Sequence, residues 1–456
     1  MSNLNAKKQE KPPARSLYLF LDRFFKLSER NTSVKTEILA GLTTFMTVSY
    51  IILINPIILG DAGMPVEAAL GATIYAVMFA TLLMGLWANF PIVLGPGMGL
   101  NAFFTYSVVL GQGLSWQTAL GAVFISGIVF FLLTVTGIRE KIIIAIPEGL
   151  KAAITAGIGL FIAFVGFKNA GLVVANESTF VSLGDLSQPG PLLALFGLVL
   201  CAVLMAKQIK GALIISIFAT TVLAMLVGAQ EIPQKWSDVF SLTPPSISDT
   251  FLQLDLKGAI AYGLFSVVFS FTIVELFDTL ATLIGLTKKA GLVDENGKVP
   301  GLNRALTADS IGTMASAVFG STALNTYVEN ATGIVEGGKT GLKAVTAAVL
   351  FGFTLFLAPL IHFIPNAATA SVLIIIGSMM LSEIKKINFD DFTESVPAFL
   401  TLILMPLTYS IAEGLAFGFV SYTVLKLVTG RTKEVHWMMY VVSAAFIINF
   451  VLIGHS

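Results

Sequence analysis

Two carboxylates three residues apart, Glu275 and Asp278, stand in the apolar run Ile273-Val-Glu275-Leu-Phe-Asp278-Thr-Leu-Ala-Thr282. On a helix that spacing puts both on one face. A third acid, Glu329, lies in Gly320-Ser-Thr-Ala-Leu-Asn325-Thr-Tyr-Val-Glu329-Asn-Ala-Thr-Gly333. No Lys or Arg falls in the apolar part of either stretch. An ionisable group inside a membrane costs at least ~2.5 kcal/mol even on insertion scales, so such groups ordinarily face a polar cavity or a proton path. A carboxylate can accept two adjacent N–H groups from a flat ring. When desolvated it also holds a proton more tightly and can exchange it as a cavity alternates between two sides. Glu275, Asp278 and Glu329 are therefore candidates for binding a polar ligand and for coupling its movement to H+, with Asp278 foremost. The bland alternative is that one of them caps a helix or pairs with a Lys at the membrane edge.

Asparagines mark two glycine-punctuated breaks, Gly95-Pro-Gly-Met-Gly-Leu-Asn101-Ala-Phe-Phe-Thr-Tyr106 and the Gly320–Gly333 stretch just quoted. Helical backbone is interrupted at membrane depth only where it lines a cavity, and paired interruptions point to the substrate site of a repeat-built carrier. Half-helix N-termini there would aim N–H groups and positive dipole ends at a ligand. Leu100-Asn101 with Thr105-Tyr106, and Leu324-Asn325 with Thr326-Tyr327, are read as matching features of the two breaks. Asn101, Asn325 and Thr326 join the acids as candidate binding groups. Phe103, Phe104 or Phe277 would cover a ring face, although among 35 Phe any one is more often packing.

The elements that must position these residues are membrane spans. Hydrophobic residues make up 55% of the 456, charged residues 12%, and the mean hydropathy is +0.86, which leaves too little polar surface for a soluble globule. The expected fold is an all-α polytopic membrane protein. A net charge of zero argues against a nucleic-acid partner. Cys201 is the single cysteine and only His362, His436 and His455 are present, so no metal constellation and no cofactor is expected. Gly337-Gly-Lys-Thr-Gly341 resembles the tail of a phosphate loop but lacks its upstream spacing.

Apolar segments near the ~20 residues needed to cross hydrocarbon fall at 37-59, 68-90, 98-112, 116-137, 151-167, 191-206, 211-229, 258-284, 303-319, 325-337, 341-360, 366-382, 396-410 and 412-429. Residues 1-36 are polar and basic and read as a cytoplasmic tail, not a cleaved signal. With the N-terminus inside, even-numbered spans exit towards the cytoplasm, and Arg139, Lys141, Lys207, Lys210, Lys288, Lys289, Lys298, Arg304, Lys339, Lys343, Lys385, Lys386, Arg431 and Lys433 all follow such spans. Fourteen spans divide into two sevens of opposite orientation, an inverted repeat. Residues 437-453 form a last apolar stretch that either crosses or lies against the membrane.

Together these residues resemble the adenine/guanine/hypoxanthine permease family (AzgA-like) of the nucleobase:cation symporter superfamily. The resemblance covers nearly the whole chain. Its carriers are Thr36-Glu-Ile-Leu-Ala-Gly-Leu-Thr-Thr-Phe-Met-Thr with Tyr50 and Asn55-Pro56; Gly95 to Tyr106; Glu275-Leu-Phe-Asp-Thr with Gly285; Ala308-Asp-Ser; Thr326-Tyr-Val-Glu; Gly337 to Val345; and Asp391-Phe-Thr-Glu-Ser-Val-Pro-Ala. It implies a core domain of spans 1 to 4 (37-138) and 8 to 11 (258-360), and a gate domain of spans 5 to 7 (139-257) and 12 to 14 (361-430), with 431-456 as a C-terminal apolar segment. It also implies short strands before the half-helices of spans 3 and 10, and a substrate between spans 3, 8 and 10 held by Asn101, the eighth-span acids and Glu329.

The function implied is secondary active import of a purine nucleobase through the cell membrane, with H+ rather than Na+ as coupling ion and guanine or hypoxanthine as first choice. Homodimers are common in that superfamily, so a second copy of the chain stays open as a partner. The family more often shows Asp-Leu-Phe-Asp-Thr and Gly-Thr-Leu where this chain has Glu275 and Ala281. Asn325-Thr-Tyr-Val-Glu-Asn330 is closer to the uracil permease form, so uracil or xanthine stays in view. A small anion would favour an Arg over these acids. An intramembrane enzyme would need a nucleophile elbow or an acid-rich metal motif that the sequence lacks.

Overall fold

The computed structural model describes residues 13–137, 146–261, 265–294 and 299–453. Among them, eight helices are long and apolar enough to cross a membrane: Val34–Asp61, Val66–Leu86, Trp116–Val135, Glu148–Asn169, Pro189–Ala206, Gly341–Phe363, Asn366–Lys386 and Ile411–Val428. They are spans 1, 2, 4, 5, 6, 11, 12 and 14. The helices Ala212–Leu226, Phe265–Lys289, Leu302–Phe319 and Phe392–Thr408 are spans 7, 8, 9 and 13. Spans 3 and 10 are the half-helices: a three-residue strand β1 (Leu94–Pro96) leads into Met98–Gly111, and Leu324–Thr326 leads into Asn330–Val335. The fold is thus a fourteen-span, 7+7 inverted repeat with short strands at spans 3 and 10.

The contacts sort the spans into two bundles. Span 4 packs on 9, span 11 on 2 and on 1, and span 9 on 2, while span 5 packs on 12 and 13, span 13 on 14, and span 6 on 12 and 7. Small residues permit the closest approaches, as is usual where lipid supplies no hydrophobic drive between helices. Gly85 faces Gly341 across spans 2 and 11, and Gly159 faces Gly377 across spans 5 and 12, with no room for a Cβ at any of the four.

Three features depart from the expected layout. Residues 13–25 of the N-terminal segment form a helix, Pro13–Phe25, whose Phe25 packs with Leu27 against Leu342. The loop after span 5 carries a hairpin of β2 (Val173–Asn176) and β3 (Phe180–Leu183). Lys343, counted in the sequence as a loop cation, is fully buried in the first turn of span 11. Arg139, Lys141 and Lys298 lie outside the described residues. The segment Trp437–Ile453 is a helix that packs on span 14, joined by the Thr423 and Ser443 hydroxyls 2.7 Å apart.

Candidate functional site

The two unwound stretches meet. β1 pairs antiparallel with β4 (Leu324–Thr326), Leu94 opposite Thr326, Gly95 opposite Asn325 and Pro96 opposite Leu324. The Gly97 N–H extends the pairing to Ala323 O at 3.0 Å. A helix closes its own backbone bonds, whereas a strand at membrane depth must find them elsewhere. Here each strand finds them in the other repeat and in one threonine. Thr81 of span 2 exchanges bonds with Leu94 (3.1 and 3.2 Å), and Thr313 of span 9 accepts the Leu324 N–H at 3.2 Å.

This register puts Gly95, six residues before Asn101, opposite Asn325, and so corrects the expected match of the two Leu-Asn pairs. Asn325 is a strand residue, whereas Asn101 lies six residues beyond Gly95, inside the half-helix. The two asparagines are not equivalent positions; they come to the crossing from different elements.

Asn101 is fully buried, its N–H bonded to Gly97 O at 2.8 Å. Its Oδ1 accepts the Thr322 hydroxyl, and its Nδ2 meets no partner among the described residues. Thr326, buried in β4, likewise has an unpartnered hydroxyl. Buried polar atoms are ordinarily satisfied, so orphaned groups beside unwound backbone call for a ligand or water. Asn325 accepts the Thr279 hydroxyl at 3.1 Å through Oδ1. Its carboxamide lies where a Cβ on Gly97 would fall, 2.6 Å from Nδ2.

Glu275 is fully buried on span 8, four residues before Thr279, and its Oε1 accepts the Thr313 hydroxyl at 2.8 Å. Thr313 therefore ties Glu275 to β4. Asp278 and Phe277 lie on the same helix, with side chains outside the described residues. Glu329 precedes the tenth half-helix and is only partly buried; its Oε1 accepts the Tyr50 hydroxyl at 3.0 Å. Tyr50 sits at the break in span 1 between Val34–Val48 and Ile51–Asp61, its ring edge-on to Tyr327 at 6.4 Å. The Tyr327 hydroxyl donates to Pro96 O. Phe103 and Phe104 are both buried, Phe103 packed edge-on against Phe271 at 4.8 Å.

Sequence reasoning missed Tyr50, Thr279, Thr313, Thr322 and Tyr327 as partners of the chosen residues. Tyr50, Thr279 and Tyr327 carried a signal only as members of the motifs around Asn55-Pro56, Glu275 to Thr279 and Thr326 to Glu329.

The loop Gly337–Gly341 does cradle an anion, and the anion is internal. The buried Glu37 carboxylate accepts the N–H of Lys339 (2.7 Å), Thr340 (3.2 Å) and Lys343 (3.2 Å) at the start of span 11. Among the described residues no group of three His, Cys, Asp or Glu side chains could hold a metal.

Inverted seven-span repeats whose broken spans cross beside a buried acid and polar groups left without partners among the described residues define a secondary carrier. The profile of the Permease family (Xan_ur_permease) matches residues 35–415, and the chain belongs to that family. It is 44% identical over 433 residues to adenine permease AdeQ of Escherichia coli, covering 95% of this chain and 96% of that one. It is 42% identical over 434 residues to guanine/hypoxanthine permease PbuO of Bacillus subtilis, covering 94% and 100%. The transmembrane domain of the cyanobacterial bicarbonate transporter BicA shares the fold, with a TM-score of 0.62 at 15% identity over 84% of this chain and 97% of that one.

Proposed function

We propose that this permease imports purine nucleobases, adenine, guanine or hypoxanthine, across the cell membrane by proton symport. The observation that carries the reading is the polar set at the strand crossing, where Asn101 Nδ2 and the Thr326 hydroxyl are buried with no partner among the described residues, Glu275 is tied to β4 through Thr313 and Glu329 follows Thr326 by three residues. A purine offers ring N–H groups to acids and ring acceptors to amide donors, so this set matches its edge. The substrates named for AdeQ and PbuO support the same class. In this reading Asn101, Asn325, Thr326, Glu275, Asp278 and Glu329 hold the base, Phe104 lies over its face, and Asp278, with Glu275 and Glu329, carries the proton.

Alternating access follows if the core (37–138 and 258–360) moves against the gate (139–257 and 361–430), with the N-terminus in the cytoplasm. Polar contacts join the two at separate places. Lys210, between spans 6 and 7, pairs with Glu336 at the end of the tenth half-helix. Elsewhere Ser107 of span 3 donates to Tyr409 O at 2.8 Å, and Asn169 of span 5 donates to the Tyr106 hydroxyl at 3.2 Å. Contacts of this kind must break and reform in a transport cycle.

The test is uptake of radiolabelled adenine, guanine and hypoxanthine into cells lacking their own purine carriers, at two external pH values, with xanthine and uracil as competitors. Saturable uptake that rises at low pH and is lost with an uncoupler is expected. Concentrative, pH-dependent uptake by Asp278→Asn would remove that residue from proton coupling. Uptake blocked by uracil alone would move the substrate class to pyrimidines.

A further inference from the structure

We infer that Lys343 is a positioning residue that sets the two crossing segments against each other from beneath, with its ammonium bonded to both. This rests on the crossing being the substrate seat. Lys343 is fully buried, and its Nζ donates to Pro91 O at 3.0 Å and to Asn330 O at 2.9 Å. Pro91 leads into β1, and Asn330 opens the tenth half-helix just beyond β4. One cation therefore reaches a carbonyl on each side of the crossing.

Asn330 completes the clasp. Its Oδ1 accepts the Val93 N–H at 2.8 Å, and its Nδ2 donates to Val93 O at 2.9 Å and Tyr327 O at 3.0 Å.

The passage that holds the lysine stem is fitted to it. A Cβ on Gly333 would fall 2.7 Å from Lys343 Cε, and one on Gly338 would fall 2.7 Å from Lys343 Cδ. The charge has its balance in Glu37, in the first turn of span 1, whose carboxylate accepts the Lys343 backbone N–H at 3.2 Å. Among the described residues Glu37 accepts hydrogen bonds from the backbone N–H groups of Lys339, Thr340 and Lys343 and from neither strand. The two charges thus have separable tasks: Glu37 holds the start of span 11, and Lys343 projects from it to the crossing.

Among the described residues the other repeat shows no such device at the matching position. Span 4 is capped by Ser115 as span 11 is capped by Thr340. Three residues past the cap, where span 11 has Lys343, span 4 has Thr118, whose hydroxyl meets Ser115 and Asp255 instead. The clasp thus serves both segments but is supplied from the repeat that carries β4, Asn325, Thr326 and Glu329.

The test compares Lys343→Met, Gly338→Ala and Glu37→Gln in purified protein and in uptake. Losing the ammonium leaves two buried carbonyls short of a donor, so Lys343→Met is expected to raise KM at least about tenfold with a smaller change in maximal rate. Gly338→Ala keeps the charge but displaces the stem, and is expected to raise KM likewise. Glu37→Gln is expected to lower thermal stability while leaving KM within about twofold.

A cross-link between Leu94→Cys and Thr326→Cys in a Cys201→Ser background reads the strand pairing without substrate, and Lys343→Met is expected to reduce its yield. Wild-type KM and cross-link yield in either folded variant would overturn the inference. So would loss of folding in both Lys343→Met and Gly338→Ala, since Lys343 would then hold the fold and not the crossing. A cross-link sensitive to Lys343→Met in a protein that takes up no purine would overturn the purine reading alone.

Discussion

The Tyr50 hydroxyl stands 3.0 Å from Glu329 Oε1, joining the break in span 1 to the start of the tenth half-helix across 279 residues of chain. The two interruptions therefore share one hydrogen bond, and the direction of the Glu329 carboxylate is set by a residue of the first span.

Tyr50→Phe keeps the ring and its edge contact with Tyr327 while removing the donor. A hydrogen bond to a charged group contributes about 1.5–3 kcal/mol, so KM for the base is expected to rise about tenfold or more with the maximal rate largely kept. Uptake kinetics at saturating and subsaturating substrate separate the two. An unchanged KM would mean that Glu329 does not bind the base in the orientation Tyr50 gives it.

Gly97 has no space for a side chain, because a Cβ would fall 2.6 Å from Asn325 Nδ2 and 2.9 Å from its Cγ. Gly97→Ala is expected to push the Asn325 carboxamide off its seat at about 1–3 kcal/mol. Binding of the base, measured by calorimetry on purified protein, should weaken while expression and monodispersity hold. Wild-type affinity would show that Asn325 takes no part in recognition.

Thr313 accepts from Leu324 N and donates to Glu275, so its hydroxyl serves strand and acid at once. Thr313→Val should lower the melting temperature of the solubilised protein and raise KM, and Thr313→Ser should restore both. A valine variant impaired only in stability would detach Glu275 from substrate binding.

Asp391 caps span 13, and the Thr393 hydroxyl and N–H, helped by the Arg431 guanidinium, hold its carboxyl down to about 2. A carboxyl lowered by folding adds stability above its ordinary value of about 4, and that contribution is lost as pH falls towards the folded value. The melting-temperature gap between wild type and Asp391→Asn should be full at pH 6 and close between about pH 4 and pH 2. A gap that persists at the lowest pH would assign the effect to packing.

The spans were legible because about 20 apolar residues in a row have few other uses, and Glu275 stood out because an acid in such a row is expensive. Asn101 was legible from its glycine-rich setting, though its pairing with Asn325 by rank was not, because strand register fixes equivalence and a dipeptide does not. Thr313 left no trace, and Thr322 and Thr279 stood inside quoted motifs with no role of their own. A threonine in an apolar helix more often bonds its own preceding turn, as Thr73 and Thr134 do at 2.7 and 2.8 Å. Lys343 was misread for a related reason: a lysine near a glycine-rich turn reads as solvated until the carbonyls it serves, some 250 residues away in one case, are placed around it.

The pairing of β1 with β4 has a consequence for how the chain is made. Leu94 to Pro96 leave the ribosome about 230 residues before Leu324 to Thr326, a delay of roughly 10 to 50 s at ordinary rates of synthesis. For that time the first half of the protein holds an unclosed stretch of backbone in or beside the bilayer. The nascent first half is therefore a client for whatever shelters half-built membrane proteins, and a stalled or truncated chain ending before residue 324 would present that stretch to quality control.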